Sequence, residues 1–564
     1  MPVPDLLDVQ EALGGELTLP PFACLEPDAE LYMLALLQPG GAVSARPDFV
    51  GAANRTDHIA KVSCFLKLAS ESSAKLVVTP EYSCPWEVLE GALRDGLLPD
   101  EDALWVLGCE GIPLTEAAQI QQRTVGATWV GIPAPQDEQG FVDPLCYVFR
   151  ARNEEGDVVP VVLVQCKATS MPDKLYHFER DHMIRANSIY VFNQNREDKI
   201  RLLTIICSDS HAFAGTGICE TALTAPYLVL HSQLCLDPFH EAFRNYRTQD
   251  FIRNREAREF LALNWASGFQ VPGYDASLYG GSALYTKSST VNDNDERIND
   301  LHVKGIYYGW NGGARRAHIY FLNYTEAAVL FRTTKAFQGA LTGAIEGNGR
   351  TGPQDAVSYA WDSVKWDDVD PEDGIDRLCT SSGANQAVLL GMAPLDRERF
   401  LSLATGTVRG LRMELRSART IASLQVDETE RAHRIAVALH PEYRDEARTR
   451  LARFRTLEAD ILANPAYFPE CIRAMRDDCQ LAYPIDDDGE CNLCSGSALP
   501  ATVAYIGDAA GWQAEQVADR IDAAIADHRR SRIVVWFRQD GHYRCFTYTA
   551  NRIDETTRLG KSIT

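Results

Sequence analysis

An α/β layer protein is predicted, and three observations predict it. Apolar runs of strand length recur along the first two thirds of the chain, helix-periodic stretches fall between some of them, and loops rich in Gly, Pro and Asp punctuate both. The 564 residues are 45% apolar, enough for full-sized cores, and the length implies about two to four domains.

Residues 1–30 read as a loose N-terminal leader. The first strand is LYMLALLQ, 31–38, which stops at Pro39-Gly40-Gly41. Thr56 to Ser70 reads as a helix, with Ile59, Val62, Phe65 and Leu66 on one face. KLVVTPEY, 75–82, is a buried strand broken by Pro80, and it completes a βαβ opening. Strands follow at DALWVLGCEGI, ATWVGIP, LCYVFRA, VVPVVLVQCK, SIYVFN, RLLTIIC and YLVLHSQL. Residues 241–263 read as helix, 282–287 and 317–323 as strands, and Glu326 to Phe337 as helix again. The composition then shifts, with five Gly in 338–356 and seven acids in 362–376. Residues 338–394 are therefore expected to be an acidic, Gly-rich linker, its acids solvated. The region 395–564 divides into amphipathic helices over 395–480 and a small βαββ unit from Ala501: TVAYIG, a helix over 511–530, RIVVWF and YRCFTYT.

The formal net charge is −23, which argues against a nucleic-acid backbone or an anionic membrane as main partner. Apolar runs such as Val158 to Val164 fall far short of the roughly 18 residues of a membrane helix. The opening MPVPDLLDVQEALGG has acids where a secretory signal has a basic region. The fifteen Cys are scattered, not framed as a disulfide scaffold. A cytoplasmic protein is expected.

Three residues sit at ends of predicted strands: Glu81 after KLVVTP, Lys167 after VVPVVLVQC, and Cys207 after RLLTII. Strand ends of α/β sheets converge on crevices. A carboxylate, an amine and a thiol brought together make a nucleophilic acyl-transfer site. The carboxylate takes the thiol proton. The ammonium favours thiolate and donates to a developing oxyanion. Singly, each residue has an ordinary reading: a buried small Cys, a solvated Glu, a surface Lys. Their joint order carries the signal.

Four strings in this order resemble the nitrilase superfamily, the carbon–nitrogen hydrolases. VVTPEY resembles the family's strand-Pro-Glu motif, VQCK its lysine motif, LLTIICSD the strand into its nucleophile elbow, and YGGSALY, with Gly280 and Gly281, the strand entry that follows. Lys167 and Cys207 are 40 residues apart, an interval like the family's. The resemblance spans roughly residues 30–335. It implies an αββα sandwich over 31–337 as catalytic domain, followed by a mostly helical region and the small terminal α/β unit. By position it implies Glu81 as general base, Lys167 as oxyanion-stabilising cation, Cys207 as nucleophile, the Ser208 backbone N–H in the oxyanion hole, and Glu179 as the family's second glutamate. Ser208 departs from the aromatic or His that usually follows the nucleophile, which bears on substrate choice. No cofactor and no metal are implied. The resemblance points to a small amide, less so a nitrile, as substrate, and to a homo-oligomer; the C-terminal region is free to engage a protein partner.

Other motifs carry less. Lys174 is the second choice for the lysine role, but no strand precedes it. Ser208-Asp209-Ser210-His211 lacks the G-x-S-x-G of a serine hydrolase. His177 and His182 flank Glu179 and line either the pocket or the solvent. Cys491-x-x-Cys494 has zinc-knuckle spacing, whereas seven residues separate Cys471 from Cys479; zinc ligands and reduced buried cysteines both remain open. There is no Walker loop. The competing function is a silent or gated scaffold or sensor on the same fold, such as a bacterial defence effector.

Overall fold

The computed structural model describes residues 4–28, 30–133, 139–171, 177–213, 226–235, 258–266, 269–272, 282–287, 297, 300–301, 304–311, 317–322, 325–336, 351–369, 388–389, 391–392, 394–407, 449–483, 491–525 and 530–548. The chain forms two compact units. One comprises residues 1–291, 304–307 and 311–371; the other comprises 292–303, 308–310 and 372–564.

The first unit begins with β1 (Asp5–Asp8). The expected βαβ opening follows as β2 (Tyr32–Gln38), α1 (Arg55–Glu71) and β3 (Leu76–Cys84). α2 (Trp86–Asp95), β4 (Leu104–Cys109) and α3 (Leu114–Arg123) come next, then a hairpin of β5 (Pro144–Asn153) and β6 (Val158–Cys166). The short α4 (His177–His182) leads into β7 (Ser188–Phe192), β8 (Arg201–Ile206), β9 (Tyr227–Ser232), β10 (Arg258–Leu263), β11 (Ala283–Lys287) and β12 (Ala317–Leu322). β13 (Ala327–Thr333), β14 (Pro353–Trp361) and β15 (Trp366–Asp368) complete the unit.

These strands form two sheets. One runs β1-β7-β8-β9-β10-β11-β12; the other runs β15-β14-β13-β2-β3-β4-β5-β6. Every residue of β3 and of β8 is buried, the continuous apolar reading of a strand covered on both faces. In β2, Ala35 and Leu37 pack on α1 through Val62, Phe65, Leu66 and Ala69, while Leu34 and Leu36 take the opposite face. Gln165 on β6 ties the sheets together: its Nε2 donates to Thr204 O on β8 at 2.9 Å, and its Oε1 accepts Tyr190 N–H on β7 at 3.0 Å. The unit is thus mixed α/β, with α1–α3 against one of two facing sheets. Residues 214–225 and 236–257, the latter holding most of the expected 241–263 helix, lie outside the described residues.

Four expectations are corrected. Residues 1–30 are not loose: β1 pairs in parallel with β7, and Phe22 packs edge-on against Phe149 and Phe192 at 5.7 and 5.6 Å. The end of the expected 241–263 helix is β10, set between β9 and β11. Its string REFLAL has good helix formers, but every residue is buried, and Arg258 stacks over the Tyr227 ring at 4.4 Å; tertiary burial overrides propensity. The expected helix from Glu326 is β13, paired with β2 and β14. Part of the expected linker is sheet, since β14 and β15 extend the second sheet. Trp366 Nε1 donates to Lys61 O at 2.9 Å and Trp361 Nε1 to Asp57 Oδ1 at 3.0 Å, pinning this edge to α1.

The second unit holds α5 (Pro394–Ala404) and a π-helical turn at Thr456–Leu462; residues 408–448 lie outside the described residues. The terminal unit is the expected βαββ: β16 (Thr502–Asp508), α6 (Gly511–Ala524), β17 (Ile533–Gln539) and β18 (His542–Thr547). β17 is central, parallel to β16 and antiparallel to β18. α6 buries Ala514, Val517, Ala518, Ile521 and Ala524, a helical stripe.

Trp366→Ala is expected to lower stability by about 3 kcal/mol, from lost burial and the cavity left behind. Urea unfolding checks it; an unchanged midpoint would show that the β14–β15 edge contributes nothing to the fold.

Candidate active site

Glu81 reaches the site through a kink in β3. Pairing with β4 slips between Thr79 and Cys84, because Pro80 has no N–H to donate and Tyr82 has a φ of +58°. Gly108 on β4 makes room for this kink. A Cβ there would lie 2.2 Å from Pro80 O and 2.9 Å from Glu81 Cα, and Gly108 N–H donates to Thr79 Oγ1 at 3.0 Å. Glu81 is 1% exposed. Its Oε2 accepts Leu234 N–H at 2.6 Å, and its backbone oxygen accepts Trp265 Nε1–H at 2.9 Å. The Trp265 indole stacks on His58, whose Nε2 donates to Ser83 O at 2.6 Å. Burial pushes the His58 imidazole down to about 4, so it is neutral at pH 7.

Lys167 directly follows β6. Its Nζ donates to Glu81 Oε1 at 2.6 Å and to Glu179 Oε1 and Oε2 at 2.8 and 2.9 Å, and lies 3.6 Å from Asp143 Oδ2. Burial opposes the charge on this amine, but Glu179 and Glu81 outweigh it and hold its pKa well above the usual lysine value. Glu179, on α4, also accepts Met171 N–H at 3.0 Å and the Tyr82 hydroxyl at 3.3 Å. Oxygens of Glu81, Asp143 and Glu179 lie within 4.8 Å of one another. Such a carboxylate trio has the donor set of a hard cation, but here the Lys167 ammonium sits among them as counter-ion.

Cys207 follows the last residue of β8 and opens a 3₁₀ turn with a φ of +38°, a left-handed conformation that sets it apart from the strand. Two side chains bind the turn to the segment after Lys167. Asp209 Oδ1 accepts Ala168 and Thr169 N–H at 3.0 and 2.7 Å, and Ser208 Oγ donates to Thr169 O at 2.5 Å. From the next strand, His231 Nε2–H donates to Cys207 O at 2.9 Å. Cys207 is 1% exposed and packs in an apolar cluster with Tyr82, Phe141, Met171, Cys235, Trp265 and Phe269. A hydrogen bond with Cys235, burial and the charge of Glu81 raise its pKa well above the ordinary thiol value, against the opposite pull of Lys167. The resting sulfur is therefore a thiol, not the thiolate expected from the ammonium alone.

The structure thus brings Glu81, Lys167 and Glu179 into direct contact, with Cys207 in the same buried core. Lys174, Gly280 and Gly281 lie outside the described residues. His177 is exposed and His182 half-buried. Sequence reasoning missed Asp143, Asp209 and Cys235. Asp143 was within reach of it: β5 and β6 pair with Pro144 opposite Cys166, so the preceding Asp faces the following Lys. Among the described residues, Cys471, Cys479, Cys491 and Cys494 do not bring three metal-binding atoms together, and no helix is long and apolar enough to cross a membrane.

No protein-family model and no curated protein matches the chain. Solved structures similar to part of it include a glutamine-dependent NAD+ synthetase from Acinetobacter baumannii in complex with ADP, at 13% identity over 67% of this chain and 56% of that one, TM-score 0.31. A glutamine-dependent NAD+ synthetase from Cytophaga hutchinsonii matches at 11% identity over 46% and 39%, TM-score 0.26. XC1258 from Xanthomonas campestris, a CN-hydrolase superfamily protein with an arsenic adduct in its active site, matches at 15% identity over 45% and 82%, TM-score 0.26. This chain thus spans about half or less of either synthetase. At such identity and overlap the likeness does not determine what the chain does.

Two outcomes follow from this geometry. Gly108→Ala forces Pro80 and Glu81 aside; it is expected to cost about 1–3 kcal/mol and to slow alkylation of Cys207, read by urea unfolding and intact mass. Burial pushes Asp209 up to about 7, against roughly 3.9 in the unfolded chain. The unfolded state then releases its proton first, so the contribution of Asp209 to stability falls between about pH 4 and pH 7. Asp209→Asn keeps the Oδ1 acceptor and does not titrate. Its stability relative to wild type should rise through that window, by up to about 4 kcal/mol at pH 8. A constant gap between pH 4 and pH 8 would show that Asp209 is ionised when folded.

Proposed function

We propose that the first unit is a thiol-dependent hydrolase of a non-peptide carbon–nitrogen bond in a small molecule, an amide in preference to a nitrile. One observation carries this reading: a buried lysine bridges two glutamates beside a cysteine held at a strand end in a left-handed turn. The sequence resemblance to the carbon–nitrogen hydrolases supports it.

In this mechanism the Cys207 sulfur attacks the amide carbon as its proton passes to Glu81. Lys167 Nζ and the Ser208 N–H stabilise the oxyanion. Collapse of the tetrahedral intermediate breaks the carbon–nitrogen bond, and Glu81 returns the proton to the leaving amine. A thioester remains. Water attacks it, Glu81 takes the water's proton, and the acid leaves as that proton goes back to the Cys207 sulfur. Glu179 holds Lys167 in place and charged. The high resting thiol pKa makes proton transfer to Glu81 part of the attack rather than a step completed beforehand. A cytoplasmic homo-oligomer fits this reading.

A second reading, a gated or silent scaffold, is favoured by the 1% exposure of Cys207. Intact-protein mass spectrometry on wild type and Cys207→Ala, with a panel of small amides and nitriles, separates the two. A wild-type adduct absent from the variant, or turnover lost in it, is expected. Glu81→Gln should slow acylation by about 10²–10⁴-fold. Neither adduct nor turnover in the wild type would favour the scaffold.

A further inference from the structure

The buried ammonium is outnumbered. Glu81, Asp143 and Glu179 are each 1% exposed or less in their side chains, against the single charge of Lys167. With all three ionised, two negative charges would stand uncompensated in a dry site, which a protein avoids by keeping a proton. The hydrogen bonds say where. Glu179 accepts from Lys167, Met171 N–H and Tyr82. Glu81 accepts from Lys167 and Leu234 N–H. Asp143 Oδ2 has no hydrogen-bond partner among the described residues, and the ammonium stands off at 3.6 Å.

We propose that Asp143 is a positioning residue for the base: it is protonated in the resting site and donates that proton in a hydrogen bond to the Glu81 carboxylate. The groups around it are Glu81 and Tyr82 from β3, Cys166 and Lys167 from the end of β6, and Glu179 from α4. Of these, Lys167 alone is a cation, and Glu81 and Glu179 already share it. Burial and the adjacent Glu81 charge push the Asp143 carboxyl well above the usual carboxylate range. The donated hydrogen bond stabilises Glu81 as carboxylate, so Asp143 sets how strong a base faces Cys207. Asp143 is held for this: its own carbonyl accepts Lys167 N–H at 2.9 Å, which locks the two residues side by side.

The effect on turnover rests on the thiol-hydrolase reading, but the protonation does not, and the test separates them. Asp209 and Glu259 are buried acids as well, pushed up to about 7 and about 8. The readout is therefore the infrared difference between full-chain wild type and Asp143→Asn at pH 7, which should contain a buried carboxylic-acid carbonyl band lost in the variant. The rate of Cys207 alkylation by iodoacetamide, followed by intact mass against pH, reads the base. Asp143→Asn retains a neutral donor and should leave the acid limb where it is in the wild type. Asp143→Ala loses the donor and should move that limb up by about one pH unit, a tenfold change in rate on its slope. A difference spectrum in which Asp143→Asn loses no acid band overturns the proposal. An acid limb displaced equally in Asn and Ala overturns it as well. Should Cys207 prove unreactive in all three proteins, the hydrolase reading falls and the infrared band alone decides the proposal.

Discussion

The Lys167 ammonium is the interaction on which this site depends. It is fully buried, and the charges of Glu81 and Glu179 are what keep it protonated there. Remove either carboxylate and the buried ammonium loses hydrogen bonds that replace its lost hydration. The carboxylates depend on it equally. Glu179 comes from a helix of six residues and would have little to fix it but the ammonium, one backbone N–H and a tyrosine. The ion cluster therefore organises its own neighbourhood as well as its chemistry.

Backbone irregularities aim the side chains. β3 would carry Glu81 along the sheet were it regular; the slip after Thr79, the left-handed Tyr82 and the bare Gly108 turn it inward. β8 ends in a left-handed cysteine for a similar reason. Asp209 and Ser208 then fasten that turn to the backbone beyond Lys167. The thiol and the ammonium are thereby held by direct hydrogen bonds between their segments as well as by the sheets. Strain of this kind persists only where the surroundings over-determine it, and here the surroundings are the all-buried strands.

Much was legible in the residues. Strands with continuous apolar runs were found where they lie, because burial on both faces leaves an unmistakable string. The terminal βαββ unit was legible for the same reason, with an amphipathic helix between two apolar runs. Reading failed where good helix formers were buried in a sheet, at REFLAL and AAVLFRT. It failed also where a strand lay among Gly and Asp, as in β14 and β15, whose place is set by two tryptophans bonding to a helix some 300 residues earlier.

The chain's own order determined that a glutamate, a lysine and a cysteine would stand at strand ends of an α/β protein, since strand length, breaker residues and side-chain alternation are local properties. The tertiary structure alone decided what those groups are. It placed three carboxylates around one ammonium, brought Cys235 to the thiol, and left Asp143 Oδ2 without a hydrogen-bond partner among the described residues. Charge state follows from burial and from neighbours distant in sequence, and periodicity carries no information about either.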